Sequence, residues 1–70
     1  MAGRAENHER ARQRHIEAAG RHRQAAAHYR AQGDEEMRRL EMRNAEIEEA
    51  AAQLEGDRAR IVRERAGGDA

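Results

Sequence analysis

From Arg4 onward, residues that can pack recur every seven positions. His8, His15, His22 and Tyr29 form one row, and Ala11, Ala18 and Ala25 follow each histidine by three. A row of period seven with a companion three residues on is the a/d seam of paired helices, here widened at e by Ala19 and Ala26. The pattern runs out at Gln32. It resumes in bulkier form with Met37, Asn44, Ala51 and Arg58 at a and Leu40, Ile47, Leu54 and Ile61 at d. Between the two rows, Gly33 suits the left-handed backbone that closes a helix, and Asp34 suits the N-cap of the next. Glu35 and Glu36 place negative charge at that helix's positive end. The pattern predicts an all-α antiparallel hairpin: helix 4–32, bend 32–34, helix 35–65, with Gly56-Asp57 as a candidate break. Residues 1–3 are expected to fray, and 66–70 to form a disordered tail.

Folding back at Gly33 sets Tyr29 beside Met37 and Leu40, His22 beside Asn44 and Ile47, His15 beside Ala51 and Leu54, and His8 beside Arg58 and Ile61. Large residues then face small ones, the complementarity an antiparallel pair needs. Charge agrees with this direction. Through Ala31 the chain has seven arginines against three glutamates, net +4; from Asp34 through Arg65 it has seven arginines against ten acids, net −3. Each helix is expected to be about 40 Å long at the standard helical rise.

Composition changes the picture in one respect. Of the chain's apolar residues, 37% of the total, most are alanine; only Met1, Ile16, Tyr29, Met37, Leu40, Met42, Ile47, Leu54, Ile61 and Val62 are larger. A 70-residue chain with so little bulk makes a weak monomer. Ile16, Met42 and Val62 fall off the main seam, which predicts that two hairpins press together as a homodimeric four-helix bundle. Asn44, polar at an a position, is expected to hold the register at some cost in stability. The interaction residues expected from the pattern are therefore Ile16, Asn44, Met42 and Val62.

Candidate chemistry is sparse. The chain has no cysteine, and its net charge is zero despite 40% charged residues. No apolar run is long enough for a signal peptide or a membrane span, so the expected compartment is the cytoplasm and no membrane partner is expected. All basic residues are arginine, which with the alanine richness points to GC-rich bacterial coding. Only the histidines offer reactive groups. Ligands on one helix must be three or four residues apart to share a metal, whereas these stand seven apart, about 10 Å along the axis. A metal site would have to form across the helices, with His15 and His22 the candidates, His22 pairing with Glu48 or His15 with Glu55. Placed neutral in the seam, the histidines make stability fall on acidification; paired with Glu48 or Glu55, they make it rise. No hydroxyl or thiol nucleophile stands near a base, and no cofactor, small-molecule substrate or enzyme is expected. The basic first helix suits phosphate, but a neutral chain with one aromatic residue lacks a stacking platform for nucleic acid.

The run from His15-Ile16-Glu17-Ala18-Ala19 through His22-Arg23-Gln24-Ala25-Ala26-Ala27-His28-Tyr29 to Gly33-Asp34 resembles short, histidine-rich helical-hairpin proteins of bacteria. That group repeats His-x-x-Ala-Ala at heptad spacing and has no established function; the resemblance implies a hairpin and covers residues 8–34. Ala26, Tyr29 and Gly33-Asp34 are also similar to the bend of a tetratricopeptide repeat, which implies the same geometry. The function expected is a small non-catalytic helical assembly or protein–protein interaction module, pairing with itself or with another helical protein. The alternatives are a histidine-bearing metal- or proton-responsive protein and an arginine-helix RNA binder.

Overall fold

A computed structural model of the protein describes residues 3–68. Helix α1 spans Gly3–Ala31 and helix α2 spans Glu35–Gly68. The two pack side by side as an antiparallel hairpin measuring 57 × 14 × 9 Å. Met1, Ala2, Asp69 and Ala70, where part of the frayed start and the disordered tail was expected, lie outside the described residues.

The bend has the geometry its residues favour. The Asp34 N–H donates to the Tyr29 carbonyl at 2.9 Å and the Gly33 N–H to the Arg30 carbonyl at 3.0 Å. This pair of bonds, with Gly33 at φ 75°, satisfies the last carbonyls of α1 in a Schellman cap. Asp34 then opens α2. Its Oδ1 accepts from the Met37 N–H at 3.1 Å, and its carbonyl accepts the first helical bond, from Arg38, at 3.0 Å.

Two expected boundaries move. Gly56-Asp57 does not end α2, and the helix continues through Ala66 and Gly67 to Gly68. Gly56 has a packing role instead. A Cβ there would sit 3.3 Å from Arg12 Cδ, so the glycine makes room for the Arg12 side chain to cross α2.

The larger correction concerns the seam. The buried residues among those described are all alanine: Ala5, Ala19 and Ala26 on α1, and Ala45, Ala52 and Ala59 on α2. These rows have period seven, and Arg12 occupies the one α1 heptad position between Ala5 and Ala19 that lacks an alanine. The expected d row of α2 is outside the seam: Leu40, Ile47 and Leu54 are 50%, 56% and 50% exposed. An interface of methyl groups lets the backbones approach closely and brings short polar side chains within reach across the seam. A leucine row between the helices would hold them too far apart for that.

Candidate interaction face

Three histidine–glutamate pairs cross between the helices beside the alanine seam. His8 Nδ1 meets Glu55 Oε2 at 2.7 Å, His15 meets Glu48 at 2.8 Å, and His22 meets Glu41 at 2.7 Å. A carboxylate only accepts, so each Nδ1 carries the proton and donates it. The α1 heptads from Ala5 to His22 therefore read Ala-x-x-His, with Arg12 replacing one alanine, and the facing α2 heptads read Ala-x-x-Glu, with Arg38 standing where Glu41 would have its alanine; antiparallel packing turns the two repeats into a ladder. The expected partners were one heptad away: His15 takes Glu48 rather than Glu55, and His22 takes Glu41 rather than Glu48. The histidines are neither buried nor left without partners, their side chains being 28%, 36% and 33% exposed. At the open end Arg58 also donates to Glu55. The His8 bond and then the Arg58 bond hold the Glu55 carboxyl below its ordinary value.

The ladder forms the floor of one broad face of the hairpin. At about 100° per residue, the row next to the histidines on α1 is Ala11, Ala18 and Ala25, all half-buried. On α2 the residues beyond the glutamates are Ala51 and the Leu40–Ile47–Leu54–Ile61 row. The face thus has a small-residue bank, a polar floor and a bulky apolar bank. It contains the very rows expected to close on each other within one chain, and they lie open.

Of the expected interaction residues, Asn44 is exposed on this face, between Leu40 and Ile47. Val62 is half-buried near the open end, beside His8, Ile61 and Arg58. Ile16, 40% exposed, and Met42 are on the opposite face. There Ile16 lines a shallow groove with Arg12, Glu49 and Gly56, while Met42 lies near Ala26, Ala27 and Arg38. Cross-helix ion pairs Arg23–Glu49 and Arg63–Glu9 run along that side. The candidate metal residues His15 and His22 each have one carboxylate partner. Among the described residues no three His, Cys, Asp or Glu side chains gather where a metal ion could be held.

Sequence reasoning reached single cross-helix His–Glu contacts but missed the repeating ladder, although its signal was present. Glu41, Glu48 and Glu55 are seven apart like the histidines, but Glu48 and Glu55 were weighed only as single partners one heptad out of register, and Glu41 not at all. No described helix is long and apolar enough to cross a membrane. The chain matches no protein-family model, no curated protein and no solved structure.

Proposed function

We propose that this protein is a non-catalytic helical assembly module whose partner is a helical surface, in the first instance its own. One observation supports this reading above the rest. The intramolecular core is built from alanine, while Leu40, Ile47 and Leu54 stand half or more exposed at heptad spacing. A row of this kind on one face of a small hairpin is an apolar stripe, and exposed apolar surface of this sort marks association sites. The ladder beside it adds polar groups that are already bonded, so a partner can cover them without leaving a donor unpaired.

Sedimentation equilibrium across a concentration series tests the reading. The expected result is a species of about twice the 8.0 kDa chain mass, converted to monomer by Ile47→Glu with little loss of helix. A folded 8.0 kDa monomer at every concentration, high micromolar included, would overturn it.

A further inference from the structure

Resting on the self-assembly reading, we propose a specific arrangement: two copies meet through the ladder face with their bends at the same end. Each α1 then lies beside α2 of the second copy. A two-fold axis parallel to the hairpin's long axis produces this pairing and leaves the height of every residue unchanged.

Three features of the face support the arrangement over its inverse, in which bends point to opposite ends and like helices meet. The first is size. Across the hairpin, Ala11 is level with Leu54, Ala18 with Ile47 and Ala25 with Leu40, because the helices run antiparallel about a bend at Gly33. Preserving height sets each bulky residue of one copy against an alanine of the other. The inverse sets alanine on alanine and leucine on leucine, which demands a narrow spacing on one side of the bundle and a wide one on the other. The second is charge. Helix α1 carries seven arginines and three glutamates, net +4, and α2 from Glu35 carries seven arginines and nine acids, net −2. The proposed arrangement puts opposite signs together at both new contacts, whereas the inverse faces +4 with +4.

The third is angle. On α2 the alanine–glutamate seam and the exposed surface that Leu40, Ile47 and Leu54 make together with Asn44 and Ala51 are centred about 100° apart around the axis. That is close to the right angle between neighbouring contacts in a square four-helix bundle. One like-charged contact remains, since Arg43 comes level with Arg21 of the second copy. It gives the proposal a sensitive probe.

The chain has no cysteine, so Gln32→Cys in the exposed bend places a single spin label per copy. Pulsed electron–electron distance measurement on the dimer is expected to give a separation on the order of 20–30 Å, the width of a four-helix bundle plus its labels. A separation near the 57 Å length of the hairpin, in a confirmed dimer, overturns the arrangement while leaving assembly intact. A monomer at all concentrations overturns both. Ile47→Lys is expected to weaken dimerisation roughly 100-fold. Ile16→Lys and Met42→Lys, on the opposite face, should change it less than about threefold. The reverse ranking rejects this face. Arg43→Glu is expected to tighten the dimer a few-fold by removing the repulsion with Arg21. In the inverse arrangement, with the apolar rows fully overlapped, Arg43 meets Asp57 of the second copy, so weakening by the same change counts against the proposal.

Discussion

Asp34 belongs to both helices at once, completing the cap of α1 through its N–H and opening α2 through its carboxylate. Asp34→Ala is expected to cost about 1 kcal/mol through the lost N-cap. Gly33→Ala is expected to cost a similar amount, because φ 75° strains any residue with a Cβ. Gly20→Ala is expected to stabilise by up to about 1 kcal/mol, since no described atom lies within 4 Å of the added methyl and the helix interior favours alanine. Thermal melts at one concentration rank all three. Acid sensitivity is also a residue-scale property. The Arg38 bond, then the Arg39 bond, holds Glu35 down to about 2 from an ordinary 4.5, and Glu55 is lowered by His8 and Arg58. Both folded values lie below the unfolded ones, so both contributions are present above the ordinary carboxylate value and are lost on acidification, that of Glu35 fading as pH falls toward 2. His8→Gln and Glu35→Gln should each flatten that acid limb of stability. An unchanged limb in both would contradict the assigned bonds.

At the scale of elements, the helices and the bend were legible because their signals are local. Gly33, Asp34 and the acids after them act within a few residues, and heptad spacing marks helix wherever it is sustained. The seam was not legible in the same way. Period seven was visible in four rows of the second helix, and the bulkiest row was taken as the core. The structure takes the smallest, because Ala19 facing α2 and Ala45 and Ala52 facing α1 permit a close approach that the His–Glu bonds require. The rows of the candidate face were therefore visible in the sequence but assigned inside the chain, while Ile16 and Met42, expected to mediate assembly, lie on the opposite face. Overpacking gives the check. Ala45→Leu, at a fully buried position, is expected to destabilise by about 1–3 kcal/mol. Leu40→Ala, half exposed, should change the stability of the isolated hairpin by less than about 1 kcal/mol. Denaturant melts at the lowest workable concentration separate the two, and comparable losses would place the leucine row back in the seam. His15→Leu alone leaves the partly exposed Glu48 without its donor and is expected to cost up to about 1 kcal/mol; adding Glu48→Leu should restore part of it.

The whole molecule is long and thin, 57 Å by 14 Å by 9 Å, with one layer of methyl groups between its helices and its larger apolar side chains outside. A hairpin of this kind gains most from a second layer. Association of folded hairpins, as proposed, stabilises them by mass action, and the melting temperature is then expected to depend on protein concentration. Thermal unfolding across roughly a thousandfold range of concentration tests this most directly. A melting temperature that rises steadily with concentration in the wild type, and does not in Ile47→Glu, is the predicted result. A melt that is cooperative, high and independent of concentration in both would show that the alanine seam suffices alone, and would contradict the claim that this hairpin is built to be paired.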